Sequence, residues 1–254
     1  FLELKFFYCI LNTMKDKILY SLLGVSLLLT IFIVVRVEAL HSTTNNLKTN
    51  IQTLTDEQNN IKSIISNKSV RSIASGKTYK IDIGNSVVLG NRNAPITIIK
   101  WTDFQCPYCA KSSSLVTKLL EKYPNDVKVV VKNFPLSSHK QAMAAAKYSL
   151  AAHKQGKYKE MYNKIFTNYR SLKTNERLPE QYAAELGLNL QEFLGDFTSQ
   201  EIQNQINTEI KQLRNSGMRL SVPKFLINGK EPQGPRTVDN WSTIINIELQ
   251  KLKS

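Results

Sequence analysis

The segment from Ile96 to Phe134 restricts the fold more than any other part of the chain. ITIIKW (96–101) is a β-branched run entered from Ala94-Pro95, and a proline holds the residue before it extended, so a strand is expected there. A helix should begin at the cysteine pair that follows. Pro107 is tolerated at a first helical position, whose N–H has no intrahelical partner, and Lys118 and Lys122 suit the far end of the helix dipole. Tyr123-Pro-Asn-Asp126 breaks the chain, and VKVVVKNF (127–134) is the clearest strand in the sequence. Strand, helix and strand in this order predict a parallel pair joined by a right-handed crossover.

Around this unit, Lys77–Ile83 is expected to add a strand. Helical patterns follow at Lys140–Gln155, Lys157–Tyr169, Gln181–Leu186, Leu190–Phe197 and Glu201–Ser216, the last ended by Gly217. Sheet pattern returns at Lys224–Ile227, with a turn at Asn228-Gly229, a short return strand and a final helix over Val238–Leu252. The expected fold class is α/β, with a helical block over 136–218 inserted into the framework.

Two of the chain's three cysteines, Cys106 and Cys109, bracket Pro107 and Tyr108 at the start of the expected helix, while Cys9 stands alone. Three cysteines cannot make a disulfide framework. A metal clip needs about four ligands. His41, His139 and His153 offer none at clip spacing, so no metal is expected. A purely structural disulfide across so short a loop would constrain little chain entropy. A reactive couple remains. At a helix start, unpaired N–H groups and the dipole stabilise a Cys106 thiolate, which is both nucleophile and leaving group in disulfide exchange. Cys109, one turn on, is placed to resolve a mixed disulfide. Such a couple needs no cofactor. His139 and His153 flank the alanine-rich helix and are expected to be surface or packing residues.

Residues 1–13 are read as an upstream extension, with Met14 as the natural alternative start. Lys15 and Lys17, the apolar run Ile18–Val35 and then Arg36 have the layout of an export signal. Eighteen such residues rise about 27 Å as a helix, close to the hydrocarbon thickness of a bilayer. Val37 and Ala39 also fit cleavage after Ala39. Within 14–40, a cleaved signal peptide and a retained membrane anchor both stay open, and in either case the remainder is sent to an oxidising compartment. The following stretch, 41–75, is a polar linker. Leu40, Leu47, Leu54 and Ile61 recur every seven residues, with Thr44, Ile51, Gln58 and Ile65 in the alternate seam. A solvated helical spacer and an oligomerising coiled-coil stalk are both open. The net charge is +14, but no run of five basic residues occurs. Phosphate binding needs a clustered footprint, so the charge is read as a solvated surface and no nucleic-acid partner is expected.

Three stretches in order, LGNRNAPITIIKWTDFQCPYCAK, VVVKNFPLSSHKQAMAAAKYSLAAHKQGKYKEMYNKIF and SVPKFLINGKEPQG, resemble the DsbA-like branch of the thioredoxin superfamily, including its membrane-tethered BdbD type. The resemblance runs from Asn85 to Leu252. It implies a thioredoxin fold with an inserted helical domain over 76–254, with Cys106 as surface nucleophile and Cys109 as its buried partner. It also implies a cis Val222-Pro223 bond against the pair, where the backbone of Val222 could pair with an extended substrate segment. Pro107, Tyr108 and Lys100 are the expected redox-tuning residues. Many relatives carry an acid six positions before the first cysteine, where this chain has Lys100, with Asp103 the nearest carboxylate. A buried, charged Lys100 should favour the thiolate and make the disulfide more oxidising.

The expectation is an exported, periplasmic thiol:disulfide oxidoreductase, either free or anchored in the inner membrane. It would introduce disulfides into reduced or misfolded exported proteins and be reoxidised by a membrane redox partner. One alternative is an isomerase or reductase made a homo-oligomer by the stalk, although Val222 before the proline resembles oxidases, threonine being commoner there in isomerases and reductases. The other is a membrane-tethered peptide-binding module without redox turnover.

Overall fold

The computed structural model describes the backbone of residues 2–252 and the side chains of residues 21, 24–62 and 76–252. Cys9, Met14, Lys15, Lys17 and Ile65, like the rest of the extension at 1–13, lie outside the described side chains. The chain divides into two units, 1–65 and 66–254.

The first unit belongs to one helix, α1 (Leu2–Ser75). Its described part, Gly24–Lys62, is long and apolar enough to cross a membrane, with mean hydropathy 1.8 in the most apolar window and none of that window buried. Helix geometry presents Leu40, Leu47, Leu54 and Ile61 to solvent, each more than half exposed.

The second unit is built on a four-stranded sheet in the order β1-β3-β2-β4, formed by β1 (Val87–Gly90), β2 (Ile96–Thr102), β3 (Val127–Asn133) and β4 (Lys224–Ile227). β2 and β3 are parallel and joined through α2 (Pro107–Lys122), while β1 and β4 run antiparallel to β3 and β2. Between β3 and β4 come α3 (Ala142–Lys154), α4 (Tyr158–Thr167), a 3-10 turn at Ser171–Lys173, α5 (Leu178–Glu185), α6 (Leu190–Thr198) and α7 (Gln200–Asn215). The last helix is α8 (Val238–Lys251).

Side-chain alternation divides the buried strands between two cores. Ile96 and Ile98 join Val127, Val129, Val131, Phe225 and Ile227 in the core shared with α2, α4 and α8. Ile99 and Trp101 join Val130, Leu226, Leu213 and Met218 on the opposite face. Lys100 therefore has the same parity as Ile96 and Ile98, and the register carries its side chain under α2 whatever its charge.

Three local expectations change. The segment 77–83 makes only an isolated bridge, Thr78 to Lys230, in place of a strand. The carbonyls of Asp82 and Ile83, which a ladder would use, instead accept from Lys132 Nζ at 2.8 and 3.2 Å, and Gln212 Nε2 also donates to Asp82 O. The expected return strand after Asn228-Gly229 is likewise reduced to one bridge, Ile227 to Lys230. Gly229 is required there, because it has φ +80° and a Cβ would lie 2.8 Å from the Tyr79 carbonyl. β1 was not legible in the sequence, its four residues being too short a run to show alternation, and α5 starts at Leu178, ahead of the expected Gln181.

Candidate active site

The buried strand β2 delivers the chain to Asp103-Phe104-Gln105, a turn that ends at Cys106, the N-cap of α2 with φ −75° and ψ 121°. Phe104 anchors this turn in the helical block, stacked on Phe166 at 4.8 Å and edge-on to Tyr162 at 5.8 Å. Asp103, whose side chain is fully buried, organises it. Its Oδ1 accepts from the backbone N–H of Gln105 at 2.7 Å and of Cys106 at 3.0 Å, while Oδ2 accepts from Leu136 N at 2.8 Å and meets His139 Nδ1 at 2.9 Å. Gln105 and Gln141 add a reciprocal pair, each bond 2.8 Å long. The active-site turn is thus clamped to the segment that follows β3. This role for Asp103 and His139 was not legible in the sequence, since thirty-odd residues separate the partners. His153, by contrast, packs edge-on against Tyr158 as expected.

Cys106 and Cys109 are not bonded to each other. Cys109 is fully buried, and its Sγ accepts from the Asp103 backbone N–H at 3.4 Å. Cys106, expected at the surface, is only 5 % exposed, because its thiol donates to the Val222 carbonyl at 3.8 Å and the Val222-Pro223 peptide, which is cis, covers it. Between the cysteines, Pro107 opens the helix and Tyr108 stands 70 % exposed. All seven expected site residues therefore converge, with Lys100 beneath them.

The two thiols titrate in opposite directions. A hydrogen bond from Cys109 leads the causes that lower Cys106 to about 6, helped by backbone N–H groups of Cys109 and Tyr108 at the helix start. Burial pushes Cys109 well above the ordinary thiol range. A thiolate on Cys106 held by a thiol on Cys109 is the arrangement that results.

Lys100 is fully buried, and its Nζ donates to Tyr162 Oη at 2.7 Å and, more weakly, to the Cys109 carbonyl at 3.5 Å. The rings of Phe166, Tyr162 and Phe225 surround the ammonium at 5.1, 5.3 and 5.9 Å, a cation–π setting. Burial lowers its pKa to about 8, opposed by the attraction of the two sulfurs, Cys109 first and then Cys106. Tyr162, raised by burial, stays a neutral phenol. The Lys100 ammonium thus interacts first with Cys109 and only then with Cys106.

The family model described as thioredoxin matches residues 82–247. Among solved structures, the fold is similar to oxidised BdbD from Bacillus subtilis, with TM-score 0.60 and 19% identity, covering 69% of this chain and 98% of that one. It is similar also to alpha-DsbA1 from Wolbachia pipientis, with TM-score 0.57 and 20% identity over 68% and 96% of the two chains. A thioredoxin-like oxidoreductase from Silicibacter pomeroyi gives TM-score 0.55 and 23% identity over 66% and 94%. Among curated proteins, the chain is 29% identical over 166 residues to the Na(+)/H(+) antiporter NhaA 3 of Salinispora tropica, covering 65% of this chain and 25% of that protein. The NhaA 1 of Mycolicibacterium gilvum is 27% identical over 158 residues, which is 61% of this chain. The chain spans about a quarter of the length of these antiporters.

Proposed function

Since the chain belongs to the thioredoxin family, we propose that it is an exported thiol:disulfide oxidoreductase that introduces disulfide bonds into proteins through Cys106 and Cys109. The observation that carries this reading is the nucleophile's chemistry, a Cys106 held near pKa 6 at a helix N-cap against a buried Cys109 and the Val222 carbonyl. In the oxidising direction a substrate thiolate attacks Cys106 Sγ of the Cys106–Cys109 disulfide. A mixed disulfide forms and Cys109 leaves as a thiolate over the Lys100 ammonium. The second substrate thiolate then attacks the substrate sulfur bonded to Cys106, forming the substrate disulfide as the bond to Cys106 breaks and Cys106 departs as a thiolate. Two electrons pass from the substrate pair to the enzyme pair. A low-pKa Cys106 is a good leaving group in that last step.

Val222 supports substrate alignment, its carbonyl facing the sulfur that holds the substrate. The apolar helix at Gly24–Lys62 supports export to the periplasm, as a signal or as an inner-membrane anchor. The partners that follow are reduced or misfolded exported proteins and a membrane redox partner that restores the disulfide. The direct test is oxidation of a reduced dithiol peptide by the disulfide form: Cys106→Ser is expected to abolish it, Cys109→Ser given glutathione disulfide is expected to accumulate a mixed disulfide at Cys106 with release of one glutathione thiol, and full activity in Cys106→Ser removes the proposal.

A second reading rests on the solvent-facing Leu40, Leu47, Leu54 and Ile61. A second copy pairing along this seam gives a homo-oligomeric isomerase or reductase. A monomeric mass of the full chain in mild detergent, by sedimentation, eliminates it.

A further inference from the structure

Beside the cysteine pair, the outer face of α2 and the start of α8 enclose a groove of about 470 Å³, within the size range of ligand clefts. Tyr108, Leu115 and Val238 form its apolar part, while Lys111, Lys118 and Arg236 are its charged walls, and no carboxylate lines it. Glu121 and Asp239, the nearest acids along the two helices, are not among its lining residues. Other recesses of the second unit differ. The one beside Lys132 includes Asp82, Glu201 and Glu209, and the one between β1 and α4 includes both Lys159 and Glu121. None of the described ion pairs involves Lys111, Lys118 or Arg236. All three are exposed.

Arg236 is also placed. Its guanidinium lies 5.7 Å from the centre of the Phe225 ring, on the strand that follows Pro223, so the charge is held next to the substrate-aligning segment without neutralisation. Helical spacing puts Tyr108, Lys111, Leu115 and Lys118 on one face of α2. The two lysines are separated by about 10 Å along the axis, which is roughly three residues of extended chain.

Resting on the proposed oxidoreductase reading, we propose that this groove selects substrate segments that are acidic near their cysteine. An extended segment whose thiol sits at Cys106 would run along α2, its carboxylates meeting Lys111, Lys118 and Arg236 and its apolar side chains resting on Tyr108, Leu115 and Val238. The lysines act through charge and the on-rate, so the preference weakens as salt rises.

The test uses the full chain in neutral detergent and two reduced dithiol peptides that differ only in the residues flanking the first cysteine, aspartate in one and lysine in the other. Oxidation of the acidic peptide by the Cys106–Cys109 disulfide form, followed in a single turnover, is expected to have about a tenfold larger second-order rate constant at low salt. That ratio should shrink on adding salt and should fall to one or invert in the Lys111→Glu/Lys118→Glu variant, with Arg236→Glu as a second, independent variant. A ratio within each variant is insensitive to any general change in the thiols. Versions of the same peptides with serine for cysteine, bound to the reduced protein, measure the groove alone. Equal oxidation rates for both peptides overturn the groove and leave the oxidase standing. Tighter binding of the acidic serine peptide without oxidation of either cysteine peptide upholds the groove and overturns the oxidase.

Discussion

Two lysines lie fully buried in the same sheet, one on each face, and they are treated in opposite ways. Lys132, on β3 beside Trp101, is ringed by oxygens: its Nζ donates to Asp82 O, Ile83 O and Ser86 Oγ, the last at 2.9 Å. Ser86 in turn donates to the buried Glu209, which also accepts from the backbone and side chain of Asn133. Lys100, on β2, has one good acceptor, Tyr162 Oη, and otherwise aromatic faces. The charge on Lys132 is answered by fixed groups and ties 82–86 to the sheet and α7. The charge on Lys100 is answered in part by a Cys106 thiolate, which exists only when the cysteine pair is reduced, so in the proposed reaction its environment changes at each turnover. Burial lowers both lysines. What distinguishes a structural from a redox-coupled buried charge is the permanence of its counter-charge.

Removing each ammonium separates the two roles. Lys132→Met leaves Glu209 and two carbonyls without their cation and is expected to cost about 3–5 kcal/mol of stability in denaturant unfolding. The redox potential of the surviving folded fraction should not move. Lys100→Met is expected to stay within about 2 kcal/mol of the parent, since a poorly paired charge is exchanged for an apolar side chain of similar volume. Its effect falls on the reduced state, which loses the cation beneath the pair that carries the Cys106 thiolate. The disulfide should become less oxidising by about 30 mV, a tenfold change in equilibrium with glutathione. Equal stability losses in the two variants, or an unchanged potential in Lys100→Met, would break the comparison.

The smallest effect is in the pH profiles of Lys100→Met. In the parent, alkylation of Cys106 should fall as pH drops through about 6, where its thiolate is protonated, and the variant should move that midpoint upward by a fraction of a unit. The linkage signs are fixed by the direction of each shift. Cys106 is depressed, so its stabilisation of the reduced fold is complete above the free-thiol value of 9.0 and is lost as pH falls through about 6. Lys100 is depressed from 10.5 to about 8, so the unfolded chain binds more protons between those values and stability rises with pH across that window. The variant should lose this rise.

Much of the site was legible because it is local. The β-branched runs marked β2 and β3, the proline at a first helical position marked the start of α2, and the CPYC spacing put two sulfurs one turn apart. The cis Val222-Pro223 bond and the place of Lys100 came through the family resemblance, and the strand register gives the physical reason for the second. The partners of the buried polar groups were not legible. Asp103 meets Leu136 and His139, Lys100 meets Tyr162, and Ser86 meets Glu209, across separations of 33 to 123 residues.

The sequence by itself determined the two cysteines one turn apart, the helix that begins between them and the apolar segment ahead of them. Only the tertiary structure decided what surrounds Lys100, what clamps the turn before Cys106 and which cations line the groove beside it. Periodicity and capping act within a few residues and leave a trace in spacing. A buried polar group must instead find its hydrogen-bond partner wherever packing brings one, and the linear order of the chain does not record that meeting.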